Sequence, residues 1–189
     1  MRPYLLFLLT CACALVGALA VHAQTDPAPE PEQAPVTGDG RDREPHVDAR
    51  RLRKLINRYR RQIWHWQRVM GRPLTLTLRN PPAELVDRVP VWRRMAKRTW
   101  TDARHPPHTT AWRCIHRFEG AWTDGGAPFY GGLQMDLGFQ QAYGTYLLRK
   151  KGTADRWTPL EQMWVAERAL RAGRTFSPWP SASRSCGLM

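Results

Sequence analysis

Residues 112–134 read WRCIHRFEGAWTDGGAPFYGGLQ. Trp112, Ile115 and Phe118 recur at helical spacing, and Glu119 closes that pattern immediately before Gly120. Aromatic residues and the turn sequence Gly131-Gly132-Leu133-Gln134 follow. A single carboxylate at the end of an apolar helix, among rings, suits an acid that cleaves bonds between sugars. Such an acid must stay protonated near neutral pH. Packing against Phe118 and Trp122 is expected to raise its pKa by desolvating the charged form. Glu119 is therefore the candidate catalytic residue.

Further landmarks surround this stretch. Trp112 stands seven positions before Glu119, and Phe129-Tyr130-Gly131-Gly132-Leu133-Gln134 is followed by Ala142-Tyr143-Gly144. Beyond them come Glu161-Gln162, Val165-Ala166-Glu167-Arg168 and Trp179-Pro180. In this order the residues resemble the catalytic domain of the resuscitation-promoting factors, transglycosylase-like members of the lysozyme superfamily secreted by actinobacteria. The resemblance covers residues 108–189. It implies a mainly α fold: a small lysozyme-like catalytic domain, here preceded by an N-terminal amphipathic helical region. It also implies a peptidoglycan lytic transglycosylase or muramidase that cuts the MurNAc–GlcNAc glycosidic bond with one Glu as general acid and base and no cofactor. Tyr130 and Gln134 are the substrate-binding residues the resemblance implies; Trp122 joins them only as a loop tryptophan whose face could stack on a sugar. Gly131 and Gly132 either let the backbone approach a sugar or simply turn the chain between two core elements. A noncatalytic peptidoglycan-binding protein with the same cleft is the alternative.

Two departures from the family pattern stand out. The family places a cysteine directly before the catalytic Glu, where this chain has Phe118; Cys114 lies four residues earlier, about one helical turn, on the same face. The loop between Glu119 and Gly131 is also shorter, so its binding residues do not transfer. Asp124 in that loop is the nearest second carboxylate, but its Thr-Asp-Gly-Gly setting equally describes a turn.

The chain starts with Met1-Arg2, an uncharged apolar run over residues 4–21, and Val21-His22-Ala23. This is the plan of a secretory signal peptide over residues 1–23, with an uncleaved membrane anchor as the alternative. Cys11 and Cys13 fit a lipidation site poorly. Removing the leader leaves Cys114 and Cys186, which in an oxidising exterior read as one disulfide closing a loop of about 70 residues. His105, His108 and His116 are interrupted by Pro106 and Pro107, and two lone cysteines lack metal-site spacing, so no metal site is expected.

The formal charge is +13. An exported basic protein is drawn to peptidoglycan glycan strands with their stem-peptide carboxylates, to anionic wall polymers or to the membrane surface. Export removes nucleic acid as a partner. The chain is expected outside the cell, associated with the wall. Arginine outnumbers lysine twenty-five to four, however, a bias that a GC-rich genome produces regardless of partner.

Residues 24–47 hold five prolines among polar residues and read as a disordered tether. Residues 48–107 form a basic helical region and connector. Within it Leu52, Leu55, Ile56, Tyr59, Ile63, Trp66 and Met70 trace one face of a helix capped by Asp48 and stopped by Gly71. That helix either packs on the catalytic domain or lies on a membrane or wall surface. Leu74, Leu76 and Leu78 alternate with threonines, as in a short strand or an extended cover. Pro81, Pro82 and Pro90 are expected to break the chain before a helix over residues 91–100. Thr109 or Thr110 is expected to cap the helix bearing Glu119, Asp136 the next, and Thr158-Pro159-Leu160-Glu161 forms a capping box for a helix ending near Gly173. Trp112 and Trp164 are expected in the core; Trp122, Trp157 and Trp179 are open to core packing or sugar stacking.

Overall fold

The computed structural model describes residues 48–189; the expected leader and tether lie outside the described residues. Its elements are mainly helical. Helix α1 spans Ala49–Met70, α2 Leu85–Ala103 and α3 Thr109–Glu119. A two-stranded hairpin follows, β1 Phe129–Tyr130 and β2 Met135–Asp136, paired antiparallel with Phe129 opposite Asp136. Then come α4 Leu137–Lys151, a 3-10 turn at Ala154–Arg156, α5 Pro159–Arg171 and α6 Pro180–Ser185.

Local sequence explains most boundaries. Asp48 caps α1 by accepting the Arg50 N–H at 2.8 Å, and Gly71 ends it at φ 66°, where a left-handed residue returns amides to the last carbonyls. Asp136 caps α4 by accepting the Phe139 N–H at 2.6 Å. At α5 both halves of the capping box form between Thr158 and Glu161.

Two boundaries differ from expectation. Helix α2 begins at Leu85 rather than near Val91 and runs through Pro90. Pro90 lies near the start of the helix, so the ring removes one helical bond there, while burial of Trp92, Ala96, Thr99 and Ala103 holds the helix in place. At α3 neither Thr109 nor Thr110 is the cap. His108 holds that position, its N–H donates to Glu167 Oε1 at 2.8 Å, and the Thr109 hydroxyl donates to the Pro106 carbonyl. A buried carboxylate near a helix start meets both the free amide and the helix dipole, which a threonine hydroxyl does only in part.

The amphipathic stripe of α1 is spent inside the protein. Ile56 and Ile63 meet Trp92 and Ala96 of α2, while Val69 and Met70 join the main core. The leucine–threonine segment after α1 forms no strand and is the extended cover. Trp64 Nε1 donates to the Thr75 carbonyl at 2.6 Å, Gln67 bonds both the Thr75 amide and hydroxyl, and Arg60 reaches the Leu76 carbonyl. Side chains of α1 thus satisfy the backbone that a neighbouring strand would otherwise serve.

Helix α5 runs through the middle of the main core. Met163, Trp164, Val165, Ala166 and Ala169 are buried, along with Glu161, Gln162 and Glu167. Burying a polar group is costly unless its bonds are made inside. Lys151 donates to both Glu161 oxygens at 2.7 Å, the Thr158 amide adds a third bond, and His65 Nε2 of α1 lies 3.1 Å away. Burial alone pushes a carboxyl up; here hydrogen bonds from His65, Lys151 and the Thr158 amide, with the Lys151 charge, outweigh it and hold Glu161 down at about 2. The Gln162 amide donates to the carbonyls of Trp122, Ala154 and Trp157. Glu167 accepts from Trp112 Nε1 at 2.8 Å as well as from His108. Near the other end of α5, Arg171 donates to the Met70 carbonyl, closing the C-terminus of α1.

The amphipathic helix therefore packs against the rest of the protein, and the described residues belong to one unit. Among them no helix is long and apolar enough to cross a membrane.

Candidate active site

Glu119 is the last residue of α3, and the chain leaves it through Gly120. Beside it lies a groove of about 480 Å3, walled by Phe118 and Glu119 on α3, Phe129 and Gln134 on the hairpin, and Pro178, Trp179, Pro180, Ser181, Ala182 and Ser185 around α6. A disulfide between Cys114 and Cys186, with Cα atoms 6.0 Å apart, ties the middle of α3 to the end of α6. Cys114 sits one turn before Phe118, so the bridge holds the two groove walls at a fixed spacing while leaving Phe118 58% exposed.

Trp179 anchors the far wall. Its ring is buried against Trp112 and Phe139, and its Nε1 donates to the Leu133 carbonyl at 2.6 Å. One tryptophan thus fixes α6 to α3, to α4 and to the hairpin turn. Trp157 is buried as well, its Nε1 donating to the Gly152 carbonyl, so of the three tryptophans left open by the sequence these two are core residues.

Burial raises the pKa of Glu119, and no side-chain or backbone donor among the described residues lowers it. Its place at the C-terminal end of α3 acts in the same direction, since the helix dipole is negative there. The result is a carboxyl that keeps its proton to higher pH than a free one, facing an open groove. Of the two rings expected beside it, Phe118 is there and Trp122 is not. Phe129 and Trp179 also share the groove with Glu119.

The other expected site residues divide into two groups. Gln134 lines the groove, held at φ 45° with its amide donating to Asp124 Oδ2 at 2.9 Å and to the Gly131 carbonyl. Asp124 also accepts the Gly126 N–H, so this carboxylate organises its own turn and orients Gln134. Tyr130 does not line the groove; it packs on the main core, because adjacent strand residues point to opposite faces and its neighbour Phe129 takes the groove side. Trp122 lies elsewhere. It stacks on His116 with centroids 4.0 Å apart and lines a different hollow with Arg104, Arg113 and Arg117. A turn between Ala121 and Asp124, and the bond from Gln162 to the Trp122 carbonyl, send it there.

Gly131 and Gly132 serve the turn. A Cβ on Gly131 would lie 2.5 Å from Gln162 Oε1, and one on Gly132 would lie 2.5 Å from His116 Nδ1. Both approaches are made to the protein's own side chains. The three clustered histidines go separate ways, His105 to the Thr101 carbonyl, His108 to Glu167 and His116 to the Gly132 carbonyl. Among the described residues no group of three His, Cys, Asp or Glu side chains converges as a metal site would require.

Sequence reading missed the α6 wall, above all Ser181 and Ser185, whose hydroxyl-bearing side chains border the groove. The signal for it was Trp179-Pro180, a helix start carrying a large aromatic residue directly after a loop. Comparison of the chain with family models, with curated proteins and with solved structures gives no match, so the chemistry of this groove is argued from its own residues.

Proposed function

We propose that this chain is an exported, lysozyme-like enzyme that cleaves the MurNAc–GlcNAc bond of peptidoglycan, with Glu119 as its general acid. The observation that carries the reading is the state of Glu119: a carboxyl raised by burial, with no donor among the described residues to stabilise its anion, on the wall of an aromatic-lined groove. A group in that state delivers a proton to a leaving oxygen and gains little by staying ionised. Phe118 and Phe129 supply exposed apolar surface for sugar faces, on walls fixed by the buried Trp179, and Gln134 with Ser181 and Ser185 supplies hydrogen-bonding groups for hydroxyls and acetamides.

In this mechanism Glu119 gives its proton to the oxygen joining the two sugars, and the C1–O bond breaks. The resulting carboxylate then takes a proton from the C6 hydroxyl of the muramoyl unit as that oxygen bonds to C1, which restores the acid and leaves an anhydro end. A hydrolytic enzyme of this class adds a second carboxylate as nucleophile or base. Among the described residues Glu119 is the one carboxylate lining the groove, and Asp124 is occupied by Gln134 and the Gly126 amide. That arrangement favours the anhydro route over hydrolysis.

Glu119→Gln keeps the side-chain size and removes the acidic proton. It is expected to lower turnover on purified peptidoglycan by about 100-fold to 10,000-fold while glycan binding persists. The pH–rate profile of the parent is expected to fall as pH rises through the raised pKa of Glu119, because the acid form is then lost. Mass analysis of released muropeptides distinguishes anhydro ends from hydrolysed ones. Near-normal turnover by the Gln variant overturns the assignment, and binding without turnover by the parent identifies a noncatalytic peptidoglycan-binding protein instead.

A further inference from the structure

Two hollows outside the Glu119 groove share a chemistry. The first, about 410 Å3, lies between α1 and α2 and is lined by Tyr59, Gln62, Trp66, Arg93, Ala96, Lys97 and Trp100. Its Trp66 and Trp100 rings lie 5.1 Å apart, and Trp100 is 40% exposed. The second, about 580 Å3, holds Trp122 with Arg104, Arg113 and Arg117. Arg104 links them, since its guanidinium lies 5.9 Å from the centre of the Trp100 ring while it also lines the second hollow. Among the described residues no carboxylate lines either one.

We infer that these hollows form one binding track for a glycan strand that carries carboxylates, a second contact for the polymer beyond the Glu119 groove. The inference rests on reading that groove as glycan-cleaving. The exposed Trp100 ring, with the half-buried Trp66 and Trp122 rings, offers surface for the apolar faces of sugar rings, and Lys and Arg heads beside them pair with carboxylates on groups attached to the sugars. Charge complementarity supports the assignment: residues 48–107 carry sixteen Lys and Arg against four Asp and Glu. A bilayer is a poorer occupant. The apolar stripe of α1 is buried in the protein rather than free to enter lipid, and the rings of this track line concave surfaces. Single-stranded nucleic acid, whose bases also stack on aromatic rings, is the competing polyanion.

The test measures equilibrium binding by the full-length chain carrying Glu119→Gln, so that strands are not consumed. The probes are soluble peptidoglycan strands with stem peptides, the same strands stripped of peptides, phosphatidylglycerol vesicles and an oligothymidylate. Trp100→Ala, and separately Lys97→Glu, are expected to weaken binding to intact strands by about tenfold, and Trp100→Tyr, which keeps a stacking face, to stay within about threefold. Stripping the peptides is expected to weaken binding comparably, and the vesicles and oligonucleotide to bind less tightly than intact strands. The inference is overturned if Lys97→Glu and Trp100→Ala bind like their parent, if stripped strands bind as tightly as intact ones, or if vesicles or oligonucleotide bind more tightly and depend on the same residues. Its failure is distinct from failure of the proposed enzyme. Binding through Trp100 and Lys97 without cleavage by the Glu119 parent overturns only the latter, and cleavage without dependence of binding on those residues overturns only the former.

Discussion

Residues 48–107 carry sixteen Lys and Arg against four Asp and Glu, whereas residues 108–189 carry ten against six and bury two of those acids, Glu161 and Glu167, in the core through α5. The first region buries one helical stripe on a small apolar cluster and latches its cover segment with Trp64, Gln67 and Arg60. The second buries α5 on nearly every side and gives its buried Glu161, Glu167 and the Gln162 amide nitrogen named donors or carbonyls, while Gln162 Oε1 has no partner among the described residues. The difference separates two tasks. On the proposed function, a groove that holds a protonated carboxyl in place needs rigid walls, and the bonded α5 and the disulfide give residues 108–189 that frame. On the proposed binding track, a surface that gathers a charged polymer needs exposed cations on a simple support, and α1 and α2 carry such cations.

The largest test of this contrast is the bridge between Cys114 and Cys186. Replacing both by Ser is expected to lower stability by about 4 kcal/mol, because the bridge closes a long loop in the unfolded chain. Chemical denaturation of the oxidised parent and the double variant measures it. The loss should also widen the Glu119 groove and reduce cleavage, since the bridge joins the groove walls, while binding through Trp100 and Lys97 persists. An equal loss of both properties would show that the two regions are not separable.

The second test uses Glu161, where the regions meet. Glu161→Gln leaves Lys151 and His65 facing a neutral group and is expected to cost about 3 kcal/mol. The pH dependence has a definite sign. Glu161 is held at about 2 against an ordinary 4.5, so its contribution is full above the ordinary value and is lost as pH falls through the folded one. The stability gap between parent and variant should therefore shrink between about pH 4.5 and 2. Glu119 runs the other way. Its raised pKa favours the folded state in the protonated form, so that contribution is present at low pH and is lost as pH rises. One carboxylate is tuned for the fold and the other, on the proposed mechanism, for chemistry.

Much of this was legible wherever the signal was local. The caps at Asp48, Asp136 and Thr158, the stop at Gly71 and the burial of Trp112 and Trp164 follow from residues a few positions apart. The position of Glu119 at the end of α3 was legible too, as a lone carboxylate closing an apolar pattern. What depended on distant partners was not. The side taken by Trp122 is set by His116 and by Gln162, forty residues away. Whether residues 74–79 formed a strand or a cover was decided by side chains of α1, and alternation of leucine and threonine describes both outcomes equally. Glu161 and Glu167 were visible as landmarks, but their work as buried anchors requires His65 and His108, which no spacing rule connects to them.

The smallest test compares one local motif in the two regions. Asp48 and Thr158 both cap a helix start, and both sites lose a similar hydrogen bond on substitution by Ala. Asp48 is exposed, and the first turn of α1 beyond it holds Arg50 and Arg51, which already oppose the helix dipole. That turn can fray while the rest of α1 stays packed on α2, so Asp48→Ala is expected to cost about 0.5 kcal/mol. Thr158 opens the buried helix α5, and its partner in the capping box is Glu161, which also holds Lys151 and His65. Fraying there exposes a buried carboxylate and loosens α1 and α4 together, so Thr158→Ala is expected to cost about 1.5 kcal/mol. Parallel denaturation curves decide it. Equal losses would mean that α1 is as firmly built at its start as α5, and that the division between a rigid catalytic frame and a simpler binding support does not hold at the level of single caps.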